Sequence, residues 1–597
     1  MSLPLEDYAM IGDTHTVALV GKNGSIDWLC LPRFDSPSVF TRLLGDEDHG
    51  YWQIAPTGGV KRVQRRYRKD TLILETDFET EDGLVRIIDL MPVRDGRADV
   101  LRLVEGVRGR VPMHMDLVLR FDYGSIIPWV QRTDGRLSAM GGPDAVLLET
   151  PIETHGRDFT TVCDFVVDEG DRVPFRLTWY PSHEDHPRSG LDCDRSLAET
   201  EQFWTEWSAR SDLGDEWRDE AQRSLITLKA LTYAPTGGSV AAPTTSLPEK
   251  LGGVRNWDYR YCWLRDATFV LSAFVNSGHR SEAEAWRDWL VRAIGGDPDH
   301  LQIMYGISGE RRLYEHELDW LPGYEGSSPV RVGNDAAPQL QLDAAGMVMD
   351  ALYLAHVKEI GSPDGEIWAV KNGMLDLLEK RWVEPDAGLW EVRAERRHYT
   401  HSKMLSWVAF DRAVKTVEKY GIEGPVDKWR RLRQEIHDEV CDKGWNDDVG
   451  AFTMYYGSDA LDASLLTMPL LGFLPIDDPR VQSTIRGVED KLAYGDFLLR
   501  YQTPDEEADG LPPGEGAFLL CTSWLADCYV MAGRHDRARE LVQKLLDISN
   551  DVGLLAEQYE PDENRMLGNF PQAFSHLGLV STINALNGFG PPSEAEE

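Results

Sequence analysis

The chain has 597 residues and a formal net charge of −38, too long for one small core and too acidic to favour nucleic acid or an anionic membrane surface as a partner. Its 42% hydrophobic and 10% aromatic content is that of a globular protein, and the nineteen tryptophans point to flat apolar faces that grip a ligand. A neutral small molecule suits this balance best.

The start, MSLPLEDYAMIGDTHTVALVGKNGS, lacks a basic stretch followed by an apolar core. No window approaches the ~18 apolar residues of a membrane span. The seven cysteines are scattered without a C-x-x-C. Cys521 and Cys528 fit one helix face, but their separation, roughly 10 Å of helical rise, is too long for a disulfide. Reduced thiols in a cytoplasmic protein are the expectation.

In chain order, the first third predicts strands. TVALVGKNGSIDWLCLP, RRYRKDTLILETDFETEDGLVRIIDLMPV, VLRLVEGVRGRVPMHMDLVLRFDY and RVPFRLTWYPS are short alternating runs split by turn residues, the pattern of an antiparallel β-sandwich. At SLAETEQFWTEWSARS a helical connector is expected, capped by Ser196 with Glu199 three residues on. From Glu216 onward the apolar period is helical: 216–235, 265–278, 281–294, 337–357, 364–382, 402–420, 425–442, 461–471, 478–490, 515–533, 535–549 and 571–587. Twelve helices in six hairpins predict an (α/α)6 barrel with its elaborate loops at one end; no fixed sequence period supports a solenoid. The domain boundaries expected are 1–195 for the sandwich, 196–240 for linker and barrel start, and 241–597 for the catalytic domain.

Four loops carry chemistry-bearing residues. In VRNWDYRYCWLRDATF, Trp257, Tyr259, Tyr261 and Trp263 fall on alternate positions among Asp258, Arg260, Arg265 and Asp266, which predicts an extended segment with its aromatics on one side. PDAGLWEVR sets Glu391 after Trp390, and a carboxyl lodged against an indole is poorly solvated and suited to general-acid work. VGLLAEQYEPDENRMLGNFPQAFSH sets Glu557 beside Gln558 among polar neighbours that would keep it ionised as a base. LLRYQTPDEEADGLPPGEGAFLLCTSWL holds Arg500. Two carboxyl groups in contrasting surroundings are what glycosidic cleavage requires. From composition alone, each acid reads equally as a solvated or salt-bridged surface group.

Taken together and in order, YRYCWLRDA, GLWEVR, LLRYQ with GEGAFLLCTSWLADCYVMAG, and LLAEQYEP with LGNFPQAFSHLGLV resemble glycoside hydrolase family 15, the family of glucoamylases and of actinobacterial and archaeal trehalases. The first forty-odd residues also resemble the start of its prokaryotic members. The resemblance implies a β-sandwich, a helical linker and a catalytic (α/α)6 barrel, and hydrolysis with inversion that releases β-glucose from a non-reducing end. By motif match it implies Glu391 as general acid and Glu557 as general base. It places Arg265 and Asp266 on the terminal glucose, Trp263 and Tyr259 as its aromatic wall, and Arg500 as a further sugar-binding arginine. Trp390 and Gln558, neighbours of the two acids, count with the substrate-binding residues. A pyranose has apolar C–H faces and a rim of hydroxyls, which accounts for rings and charges crowded in one stretch.

Softer signals remain. Arg331 is a candidate for a second sugar subsite or for bonding to loop backbone. Glu315, His316 and Glu317 lack the spacing of a metal site and read as solvated charges. His398 and His401 begin the helix after Glu391, with either an exposed or capping role or a contact to substrate. Glu515 either binds sugar or favours the N-terminus of its helix. No metal or other cofactor is required for bond cleavage, and the sequence carries no signal for phosphate or magnesium dependence or for oligomeric state. The favoured substrate is α,α-trehalose, because starch and dextran are extracellular polymers and no export signal is evident. A glucoamylase or oligosaccharide α-glucosidase is the alternative, and a non-catalytic sugar-binding relative a distant one.

Overall fold

The computed structural model describes residues 2–589 apart from 95, 134, 188–189, 191, 297–299, 362–364 and 503–508. The N-terminal third is an antiparallel assembly of two sheets that share one strand, Ala98–Val118. The first part of that strand pairs with Gly83–Leu90 and Arg172–Pro181, the second with Tyr51–Pro56 and Thr160–Asp168. The turn expected inside VLRLVEGVRGRVPMHMDLVLRFDY is therefore absent, and its glycines have another use. A Cβ on Gly106 would stand 2.1 Å from the Asp168 carbonyl oxygen, so the glycine lets neighbouring backbones approach where the strand crosses from one sheet to the other.

Thirteen helices follow among the described residues: α1 Cys193–Ser208, α2 Arg218–Ala230, α3 Ala267–Asn276, α4 Arg280–Ile294, α5 Leu342–Val357, α6 Gly365–Arg381, α7 Thr400–Tyr420, α8 Val426–Lys443, α9 Thr467–Leu470, α10 Pro479–Lys491, α11 Leu519–Met531, α12 His535–Asp547 and α13 Ala573–Leu586. The connector α1 starts earlier than expected, because Asp192 rather than Ser196 accepts from a first-turn amide, that of Arg195, at 3.1 Å. The segment expected at 461–471 is a 3-10 turn, Ala463–Leu466, running into the four-residue α9. The first residue of the segment expected at 364–382 lies outside the described residues.

Packing divides the helices of the C-terminal part into two rings. Helices α3, α5, α7, α9 with its 3-10 turn, α11 and α13 touch in succession, and α13 returns to α3, closing the inner ring. Their sequences explain the placement: α11 is buried without a break from Leu519 to Tyr529, while its outer partner α12 buries only the stripe Ala538, Leu541, Val542 and Leu545. This is the (α/α)6 barrel, and the loops entering the N-terminal ends of α3, α5, α7, α11 and α13 are the ones singled out by sequence.

The β assembly braces the back of one of these loops. Trp28 Nε1 donates to Pro243 O at 2.9 Å, and Arg260 Nη1 to Ser36 O at 3.1 Å. Asp258 and Arg260, both fully buried, form a two-pronged ion pair at 2.8 and 2.7 Å, and Asp258 Oδ2 also accepts from the Gly333 amide at 3.1 Å. Removing one partner of such a pair strands a buried charge. Arg260→Met is expected to lower unfolding stability by about 3–5 kcal/mol in urea titrations; a loss under about 1 kcal/mol, the worth of an exposed pair, would show that the pair carries no structural load.

Candidate active site

A small cavity opens at the N-terminal end of the inner helices. Tyr259, Arg265, Trp390, Glu391, Arg500 and Glu557 all line it, so the structure brings six residues expected at the site to one place. Among the described residues, no group of three or more His, Cys, Asp or Glu is arranged to hold a metal ion, and no helix is long and apolar enough to cross a membrane.

The stretch 254–269 is not one strand. Asn256–Asp258 pairs with Thr245–Pro248, and Cys262–Trp263 pairs with Met304–Tyr305, with an irregular link between them. Its aromatics accordingly divide. Trp257 and Tyr259 line the cavity, whereas Tyr261 packs among Ile303, Met304 and Leu313. Trp263 stands behind the cavity wall, edge-on to Tyr259 at 5.3 Å between ring centroids. The charges divide too: Asp258 and Arg260 pair with each other behind the loop, Arg265 lines the cavity, and Asp266 sits behind Arg265.

Glu391 sits at the tip of a tight loop with φ of +59°, a backbone region that is strained for a residue with a side chain. Its Oε1 accepts from Trp263 Nε1 at 2.7 Å and from Arg265 Nη1 at 3.2 Å. The expected apolar lodging against Trp390 is therefore corrected. The indole that matters is that of Trp263, and it meets the carboxyl with its N–H rather than its face. Trp390 turns its own N–H to Asp462 Oδ1 at 3.0 Å and packs edge-on against Phe518. Arg265 also reaches Leu389 O at 3.1 Å and Asp266 Oδ1 at 3.2 Å. Asp266 does not line the cavity, and burial pushes its carboxyl up to about 6 against the pull of Arg265.

Glu557 immediately precedes the strand Gln558–Glu560, which lies between Ala517–Phe518 and Arg565–Leu567. Its Oε1 accepts from Tyr259 Oη at 2.7 Å. Burial, then the charge of Glu249, pushes the Glu557 carboxyl up to about 8, while Arg500 and the Tyr259 hydrogen bond pull the other way. The polar surroundings expected to keep it ionised are thus outweighed by desolvation and by a second acid. Desolvation of the half-buried Tyr259, with the nearby Glu557 charge, holds its hydroxyl well above the ordinary tyrosine range, so it stays a donor. Gly568 sets the space: a Cβ there would lie 2.4 Å from Glu557 Oε2, on a residue whose φ is already +75°.

Other residues singled out in the sequence fall elsewhere. Gln558 follows Glu557 in a strand, so it takes the opposite side; it is fully buried and off the cavity. Arg331 also stays off the cavity: it lies 4.7 Å over Trp257 and donates to Val254 O and Asn256 O at 2.9 and 3.1 Å, buttressing the wall from behind. The arginine that does line the cavity on that side is Arg393, 4.1 Å from the same ring. Glu515 lies ahead of α11 rather than in its first turn, and its carboxylate accepts from Arg500 Nη2. His401 is buried in the first turn of α7, and its ring is pushed down to about 3 by burial and then by Arg265, so the exposed role expected for it is corrected. His398 stacks on Tyr456. Glu315 is no ligand either; it pairs with Arg331 at 3.3 Å and Arg393 at 3.0 Å.

The sequence reading missed Glu249, Arg255 and Asp509, all at the cavity, where Tyr501, the neighbour of Arg500, also stands. Arg500 Nη2 donates to Glu249 Oε2 at 2.9 Å; Arg255 Nη2 and Tyr501 Oη both donate to Asp509 Oδ2, at 2.6 and 2.9 Å. The one signal in the sequence was PEKLGGVR, a Gly-Gly turn that brings Glu249 back beside Arg255.

Known proteins share this arrangement of parts. Residues 217–584 match the family model for glycosyl hydrolases family 15, and residues 1–167 match a trehalase-like N-terminal family. The chain is 38% identical to a trehalase of Mycolicibacterium smegmatis over 97% of its own length and 91% of that protein's. It is 35% identical to a trehalase of Thermoplasma acidophilum, over 94% and 97% of the two chains. A bacterial glucoamylase solved with acarbose superposes with a TM-score of 0.76 at 12% identity, covering 99% of this chain and 95% of the other, which is a likeness of fold. A barrel whose loops converge on two carboxyl groups, matched by a family model over most of that barrel and by relatives along nearly the whole chain, leaves one conclusion: the protein belongs to glycosyl hydrolase family 15 and is a glycosyl hydrolase.

Proposed function

We propose that the protein is an α,α-trehalase that cleaves with inversion, Glu391 acting as general acid and Glu557 as general base. The observation that carries this reading is the pair of carboxyl groups on one cavity, each tied to a donor from the same stretch, with relatives named trehalase along the chain. Glu391 hands its proton to the bridging oxygen as the bond to the first glucose breaks. Glu557 takes a proton from the water that attacks the opposite face of that ring. Arg265 and Arg500 supply fixed donors for hydroxyls, and Tyr259, Trp257 and Trp390 supply flat walls. Glu557 and its water need no metal or other cofactor in this scheme.

Release of glucose from trehalose, maltose and isomaltose tests it directly. Trehalose should be turned over fastest, the first product seen by proton NMR should be β-glucose, and Glu391→Gln should cost roughly 10²–10⁴-fold in kcat. Preference for maltose would make the protein a glucoamylase-type enzyme, and unchanged turnover by the variant would remove Glu391 from the chemistry.

The base must be ionised to act, so activity is lost as pH falls through its pKa. With that carboxyl pushed up to about 8, kcat/KM should decline below about pH 8. A decline seen only below about pH 5, near the ordinary glutamate range, would contradict the assignment.

Gly568→Ala drives a methyl group into the space of Glu557 Oε2. A displaced base of this kind is expected to cost on the order of 10²-fold in kcat with far-ultraviolet circular dichroism unchanged. Full activity would show that the Gly568 contact does not position Glu557.

A further inference from the structure

We propose that Glu249 is a third working carboxyl group of this cavity: its Oε1 accepts a hydroxyl of the bound sugar while its Oε2 holds the Arg500 guanidinium. The inference rests on the α-glucoside hydrolase reading.

Glu249 is fixed on both sides by backbone. Its amide donates to Arg255 O at 3.1 Å, and its carbonyl accepts from the Gly516 amide at 3.3 Å. The side chain is buried, lines the cavity and has Arg500 Nη2 at 2.9 Å and Arg255 Nη1 at 3.9 Å, both on Oε2. Among the described residues nothing donates to Oε1. Arg500 does not need this acid for neutrality, because the same Nη2 already donates to Glu515, which does not line the cavity. A second buried carboxylate on one guanidinium adds a desolvation cost with little return in stability. That cost is offset when the open oxygen meets a ligand donor, and a sugar hydroxyl is the neutral donor a cavity walled by Trp257, Tyr259 and Trp390 receives.

Its charge has a second consequence. The groups facing Glu557 are Glu249, Glu515, Arg500 and Tyr259. Replacing Glu249 by a neutral amide removes repulsion and leaves Arg500 less neutralised. Both changes let Glu557 ionise more readily, so the fall of kcat/KM on the acid side moves to lower pH.

The test compares wild type and Glu249→Gln on trehalose and on a set of monodeoxy-trehaloses (monodeoxy-maltoses should maltose prove the better substrate). One analogue is expected to lose roughly 10- to 100-fold in kcat/KM with wild type, and that penalty should largely vanish in the variant. The variant's acid-side decline should also shift downward in pH. Penalties that add in full for every analogue, with an unmoved pH profile, would overturn the role of Glu249 and leave the hydrolase reading intact. Failure of wild type to cleave any of the disaccharides would sink the hydrolase reading itself. Should the variant not fold, a crystal structure of the Glu391→Gln enzyme with trehalose decides. A sugar hydroxyl within about 3.2 Å of Glu249 Oε1 is expected, and none within about 4 Å overturns the proposal.

Discussion

Seven residues of chain, Tyr259 to Arg265, bond both carboxyl groups of the site. Tyr259 Oη donates to Glu557 at 2.7 Å, and Trp263 Nε1 and Arg265 Nη1 donate to Glu391 at 2.7 and 3.2 Å. The acids lie far apart in sequence, ahead of α7 and just before α13, so neither loop can set its distance to the other. The shared stretch does. Any slip in its register would move both acids, or leave one without its donor.

The rest of the molecule can be understood as holding that stretch still. It is not a regular strand and has few ladder bonds of its own. The fully buried Asp258–Arg260 pair replaces them, tying the turn to the Gly333 amide on one side and to the Ser36 carbonyl of the β assembly on the other. A buried ion pair is a costly way to gain stability. Here it gains position, because two charges with several fixed partners admit one geometry. That gives the N-terminal sheets a physical part in the site although no residue of theirs lines the cavity.

Much of this was legible in the sequence, and the limits have physical causes. The change from period two to period 3.6, and the count of helical segments in hairpins, placed the barrel; the nearly continuous burial of α5, α11 and α13 against the striped α12 shows which helices form its inner ring. The loops with Glu391 and Glu557 stood out by residue type. Their surroundings did not. A neighbour in sequence is a poor guide to a neighbour in space at a loop tip: Trp390 and Gln558 flank the two acids, yet Trp390 bonds Asp462, and Gln558 takes the far side of its strand. Period two in 257–263 was real, but an irregular link between two short strands sent Tyr261 into the core. Glu249, Arg255 and Asp509 were missed because, beyond the Gly-Gly turn between the first two, their partners come from the loop ahead of α11, far away in sequence.

These unforeseen residues change what kind of site this is. Among the described residues, Glu249, Asp509 and Glu515 pair with Arg255 and Arg500 at the buried end and Glu557 stands beside them, an excess of two negative charges when all are ionised. Such an excess is costly in a buried site, and Glu557, the proposed base, is the acid whose ionisation burial and Glu249 oppose. A base so placed has more thermodynamic pull on a proton than an ordinary glutamate, at the expense of being ready only in less acidic conditions. The opposite end solves a different problem. Glu391 has an indole N–H and a guanidinium on one oxygen, and a left-handed backbone conformation holds it at the cavity wall. One acid is tuned by what surrounds it and the other by how its backbone holds it, and both depend on the stretch from Tyr259 to Arg265 that they share.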